Sequence, residues 1–202
     1  MLNIWRFDIQ KQKLMFISVS QPDMLKNIHF LTADFTNRLP MPVESYYIMI
    51  GDSEGTLIAY DTSKNTYVDI GTSRGRVISG AIGSISIKNE SVVIASQDGE
   101  VLRYPITGSI VLPDDPQQVI QLSVESAIVS LSMDDANVEG LVGTEAGAIH
   151  YVHFGEQIII PLVSSNNYNQ DSANFIKCDP NNDQIFFTNC GTKSDECKIF
   201  TN

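Results

Sequence analysis

The chain has 202 residues, of which 43% are hydrophobic and 18% charged, the balance of a soluble globular protein with one large domain or two small ones. Its 24 acidic against 13 basic side chains give a net charge of -11, which repels nucleic-acid phosphates and anionic lipid and suits a basic partner face better. No stretch approaches the roughly 20 apolar residues of a membrane span, and Met1 to Phe7 lack the marks of a signal peptide.

Taken in chain order, the elements read as short strands. Leu2 to Phe7 looks like the closing strand of a strand–turn–strand unit without its turn. Lys13 to Ser18 follows as an outer strand and Ile28 to Asp34 as an inner one, before a longer loop through Arg38, Pro40 and Pro42. The first full hairpin is Tyr47 to Asp61, turning at Gly51 to Gly55, with an outer strand at Asn65 to Asp69. The sequence then repeats itself. Ile82 to Ile87 precedes the hairpin Val92 to Tyr104, and Ser109 to Leu112 is the expected outer strand. Ile128 to Met133 precedes the hairpin Gly140 to Val152, with Gln157 to Leu162 outside it. Asn174 to Cys178 precedes a weaker copy, Phe186 to Gly191 closing with Cys197 to Phe200.

With Trp5, Tyr60, Tyr104, Val152 and Phe200 taken as equivalent, the unit recurs after 55, 44, 48 and 48 residues. A period near 40 to 50 residues is that of a four-stranded propeller blade. Gly55, Gly99 and Gly147 supply the positive φ of a tight hairpin, Asp98-Gly99 being the most specific of these signals. The β-branched and aromatic runs around them suit buried strands. Pro113, Pro116 and Pro161 suit outer edges, where a missing N–H costs least. The expected fold is therefore all-β, a propeller segment over 1–202 with pieces near 1–20, 26–70, 77–112, 124–163 and 172–202. Both ends supply the third strand of a blade, so about four blades are expected, as part of a larger propeller closed by further sequence or by another chain.

The Asp98-Gly99 turn, Trp5 and the pair Tyr60-Asp61 resemble the WD-repeat family over nearly the whole chain, in degenerate form. No Gly-His opening dipeptide and no complete Trp-Asp pair is present. Gly140 to Val152, followed by Leu162-Val163-Ser164, is similar to a segment of large WD-repeat proteins of centrioles and ciliary axonemes. That resemblance implies a scaffold of the cytoskeleton, with tubulin and neighbouring axonemal or centriolar proteins as partners. A cytosolic adaptor or substrate-receptor propeller in a soluble complex is the alternative.

Catalytic chemistry finds little to work with. His150 and His153 lie three apart on one strand, on opposite faces, and His29 is remote. Cys190 and Cys197 flank a turn, but with Cys178 they do not complete a zinc set; an odd set of three also fits a reducing cytosolic compartment. Gly140 to Gly147 lacks the Gly-Lys-Ser/Thr ending and the following helix of a phosphate loop. Asp114-Asp115 and Asp134-Asp135 read as solvated turns without calcium-loop spacing. No serine elbow is present. The expectation is a non-enzymatic protein without cofactor or metal, binding other proteins through its loops. Arg74, Arg76, Phe154 and Tyr168 are the loop residues expected to make contact, because exposed Arg and aromatic side chains most often anchor interfaces.

Overall fold

The computed structural model describes residues 3–19, 27–36, 47–69, 76–88, 90–106, 110–123, 126–163, 173, 176–178, 185–190 and 197–200. Its strands group into five antiparallel sheets. The first holds β1 (Asn3–Asp8) and β2 (Lys13–Ser18). Three full blades follow, each in chain order from the inner to the outer strand. They are β3 (Phe30–Phe35), β4 (Tyr47–Asp52), β5 (Leu57–Asp61) and β6 (Thr66–Asp69); then β7 (Ile82–Lys88), β8 (Ser91–Ser96), β9 (Glu100–Pro105) and β10 (Gln118–Gln121); then β11 (Ile128–Met133), β12 (Glu139–Thr144), β13 (Ile149–His153) and β14 (Ile158–Val163). The last sheet has β15 (Ile176–Cys178), β16 (Ile185–Cys190) and β17 (Cys197–Phe200). Successive inner strands β3, β7, β11 and β15 touch one another, so the blades form a continuous arc.

The apolar runs are continuous because each middle strand is buried on both faces. Alternation along the strand then sorts its side chains between two neighbouring blades. On β8, Val92 and Ile94 enter the core shared with the preceding blade, beside Met49 and Leu57. Val93 and Ala95 enter the core shared with the following blade, beside Val142 and Val152. One strand thereby ties two interfaces.

Three turn devices repeat. At the hairpin after the second strand, Asp52, Ser96 and Thr144 are buried, and each side-chain oxygen accepts from the amide four residues on, in Thr56, Glu100 and Ala148. Gly55, Gly99 and Gly147 complete these turns at φ of 80°, 96° and 82°. The next residue along (Ser53, Gln97, Glu145) donates its amide to the carbonyl of His29, Ala81 or Ala127, just before its own inner strand. At the turn after the third strand, Asp8, Asp61 and His153 each accept from the amide three residues on. Gln12, Asn65 and Gln157 then take the left-handed conformation that closes the turn.

These registers correct two sequence expectations. Asp8 pairs with Lys13 as Asp61 pairs with Thr66, so Phe7, not Trp5, is the counterpart of Tyr60. The outer strand of the second full blade is Gln118–Gln121, not Ser109 to Leu112, and so lies beyond the 77–112 piece. Register explains the shift. Pro105 stands where Asp61 and His153 cap their turns, opposite Ser91 as they are opposite Tyr47 and Glu139. Proline offers no side-chain acceptor, and no tight turn forms there. The chain instead runs on, burying Ile106, Ile110 and Leu112 in the interblade core before β10 pairs with β9.

Candidate interaction surfaces

The antiparallel order puts two kinds of turn at each end of the arc. One end carries the hairpin turns 53–56, 97–99 and 145–148 with the segments that enter the next blade. Those segments are stitched down: the amides of Val77, Leu122 and Ala173 donate to the carbonyls of Gly55, Gly99 and Thr144. The buried Tyr104 hydroxyl donates to the Val77 carbonyl at 2.7 Å. Ser79 adds hydroxyl and amide bonds to the Glu100 carboxylate. Loops held this way present their outer side chains on a rigid base.

The opposite end is braced by Asn137. Its amide Nδ2 lies 3.1–3.3 Å from the carbonyls of Ser86, Lys88 and Ser91 in the preceding blade, and its Oδ1 accepts from the Ser86 hydroxyl. Asp134 holds the same turn by accepting from the amides of Ala136, Val138 and Glu139. This half of the Asp134-Asp135 pair is thus a turn cap, while Asp135 sits 3.8 Å from the Lys88 ammonium. Sequence reading missed Asn137 altogether. An isolated Asn carries no signal until the fold sets three carbonyls around it.

Several ionisable groups depart from their ordinary behaviour, among them Tyr151, Asp61 and His150. Burial, with the Tyr151 hydroxyl donating to Glu139 and that carboxylate beside it, pushes the Tyr151 phenol up to about 12. Burial tends to raise the Asp61 carboxyl, but the Ser63 hydroxyl and the amides of Lys64 and Ser63 outweigh it and hold it below its usual range. Burial also lowers His150. His150 and His153 stay apart along β13, and no group of three metal-ligating side chains occurs among the described residues. Cys190 and Cys197 are directly opposed across β16 and β17. No helix among the described residues is long and apolar enough to cross a membrane.

The four loop residues expected at an interface divide. Arg76 is exposed and reaches Glu54 at 3.2 Å, an ion pair between two solvated side chains. Phe154 is a correction: it is 0% exposed, packed in the core between the second and third full blades. Phe154 directly follows β13, and its ring belongs to the buried interblade cluster that also holds Met133 and Val152. Arg74 and Tyr168 lie outside the described residues.

The larger exposed apolar surface is elsewhere. Trp5 and Phe7 on β1 and Leu14 and Phe16 on β2 stand on one face of the first sheet, Trp5 opposite Phe16 with ring centroids 5.0 Å apart. The counterparts of Phe7 and Leu14 in the next blade, Tyr60 and Tyr67, pack together at 5.2 Å, but Tyr60 is 1% exposed where Phe7 is 58%. Sequence alone could not show this, because exposure depends on the neighbour and not on the strand.

Comparison of the whole arc with solved structures settles its class. The chain superposes on a chain of a mitotic checkpoint complex with a TM-score of 0.65 and 10% identity, covering 93% of this chain and 51% of that one. The fold is a WD-type β-propeller. The β-propeller domain of Cps50 (Swd1) from Myceliophteria thermophila matches at a TM-score of 0.64 and 11% identity, over 94% of this chain and 60% of that domain. A chain of an active polycomb repressive complex 2 matches at 0.60 and 14%, over 93% and 38%. The chain thus spans about half the length of the propellers it resembles. No protein-family model and no curated protein matches the sequence.

Proposed function

We propose that the chain is a non-enzymatic scaffold that binds other proteins within a larger assembly. The observation that carries this reading is the pairing of a rigid, stitched arc of blades with an exposed aromatic face where the arc begins. A rigid body with fixed loops binds by shape, without chemistry. The net charge of -11 favours a basic partner surface over nucleic acid or anionic membrane.

Within that role, the similarity of Gly140 to Val152 to centriolar and axonemal WD-repeat proteins supports a place on the cytoskeleton, in a cilium or centriole, beside tubulin and its neighbours. A second reading is an adaptor in a soluble multiprotein complex. It is favoured by two of the structural likenesses, which are to chains in a checkpoint complex and a polycomb complex. Tagged protein expressed in ciliated cells separates the two. Recovery with the salt-washed axoneme supports the cytoskeletal reading. Recovery wholly in a soluble complex overturns it in favour of the adaptor, and recovery as a free monomer in both fractions overturns the scaffold.

A further inference from the structure

Each hairpin between the second and third strands of a sheet ends on one last pair of directly opposed residues. The pairs are Gly51 with Leu57, Ala95 with Val101, and Gly143 with Ile149. In the last sheet the pair is Cys190 with Cys197, where β16 runs beside β17. The other three hairpins then cap their turn with the side chain of the next residue, Asp52, Ser96 or Thr144. The residue after Cys190 is Gly191, which has no side-chain acceptor to offer. The last hairpin therefore places two cysteines where the others begin a turn closed by a hydrogen bond.

Register also decides which cysteines can be joined. Directly opposed residues of an antiparallel pair share a face, with Cα atoms about 4.5 to 5.5 Å apart depending on the class of pair. A disulfide spans Cα separations of about 4.4 to 6.8 Å, so either class admits one. Cys178 is out of reach. It is opposed to Ile185, five residues along β16 from Cys190, and at about 3.4 Å per residue that is roughly 17 Å.

We propose that Cys190 and Cys197 form a reversible cross-strand disulfide, a redox site that clamps the β16–β17 hairpin. The co-reactant is a low-molecular-weight disulfide of the glutathione class. The thiolate of one cysteine attacks it, forming a mixed disulfide and releasing one small thiol. The thiolate of the other cysteine then attacks the protein sulfur of that mixed disulfide. The cross-strand S–S bond forms, the mixed bond breaks, and the second small thiol leaves. Two electrons and two protons have passed from the cysteine pair to the small disulfide. The product ties together both ends of the segment 191–196. This site needs no partner protein, so it stands apart from the scaffold reading.

The test reduces the full chain, removes the reductant and equilibrates the chain with mixtures of reduced and oxidised glutathione. Alkylation and mass spectrometry then read the bond. The expected product is lighter by two hydrogens and keeps one alkylated thiol, at Cys178. Cys178→Ser leaves the bond in place, whereas Cys190→Ser and Cys197→Ser each abolish it; unchanged amide exchange in residues 91–96 shows that each variant is folded. Thiols seven residues apart also meet in an unfolded chain, so the contribution of the fold is measured separately. The equilibrium constant for closure should be about ten-fold or more larger in the native chain than in urea, because register raises the effective concentration of one thiol at the other. Four results overturn the proposal: a bond that includes Cys178, glutathione left on Cys190 or Cys197 in place of the bond, linkage between two chains, or an equal constant in urea.

Discussion

Phe7 on β1 and Tyr104 on β9 occupy the same position of the repeat in opposite surroundings. Tyr104 is sealed between two blades, with its hydroxyl bonded to the Val77 carbonyl. Phe7 pairs with Leu14 on its outer neighbour beside a capped turn at Asp8, yet its ring faces solvent. Local signals therefore decide where strands form and turn, and the adjacent blade decides what they contribute to stability. A propeller is quasi-one-dimensional in this sense: each unit depends on the next for its core.

The sharpest way to break that comparison is to truncate one aromatic in each region. Phe154→Ala in the blade interface should cost about 3–5 kcal/mol, the range for deleting a buried ring. Phe7→Ala should cost under about 1 kcal/mol, as surface changes do. Urea unfolding midpoints of the two variants check this; equal losses would mean that β1 is already covered. Asn137→Ala should come next. It takes the amide away from the carbonyls of Ser86, Lys88 and Ser91, of which Lys88 keeps the Ser91 hydroxyl, and losing hydrogen bonds to buried groups costs about 1–3 kcal/mol. A lowered melting temperature reads this out.

Gly83→Val tests close approach in the same interface. A Cβ at Gly83 would lie 2.0 Å from the Ile128 carbonyl oxygen, so the inner strands must separate, at about 1–3 kcal/mol. Leu31 holds the matching position on β3 and is exposed, so Leu31→Val should move the melting temperature little. The smallest effect is set by pH. The Tyr151 phenol is raised in the folded chain, so its contribution is complete below the ordinary tyrosine value near 10 and is lost as pH rises toward about 12. Tyr151→Phe should remove this alkaline loss from a melting-temperature series between pH 9 and 12.

Much of this architecture was legible in the residues. The strands of the Tyr47 to Asp61 and Gly140 to Val152 hairpins lie within a residue or two of their expected places, because alternation and a glycine turn are local properties. The displaced β10 was not legible, since Pro105 reads as an ordinary edge proline until register shows that it replaces a turn cap. Asp8, Asp61 and His153 perform one task with two different chemistries, so no pattern of identical residues announces it. Phe154 was misplaced for a related reason: a residue in a turn need not point outward. The candidate surface itself, exposed Trp5 and Phe7 on β1, emerges only when equivalent positions in different blades are compared for burial.

Residue-resolved hydrogen exchange of the isolated chain tests the central claim most directly, that a braced arc begins in an uncovered half-blade. The account predicts slow exchange across residues 91–96 and 139–144. It also predicts exchange in residues 3–8 faster by about a hundred-fold or more, as expected for a strand that pairs, among the described residues, with β2 alone and exposes Trp5 and Phe7. Equal protection of residues 3–8 and 91–96 in a monodisperse monomer would contradict it.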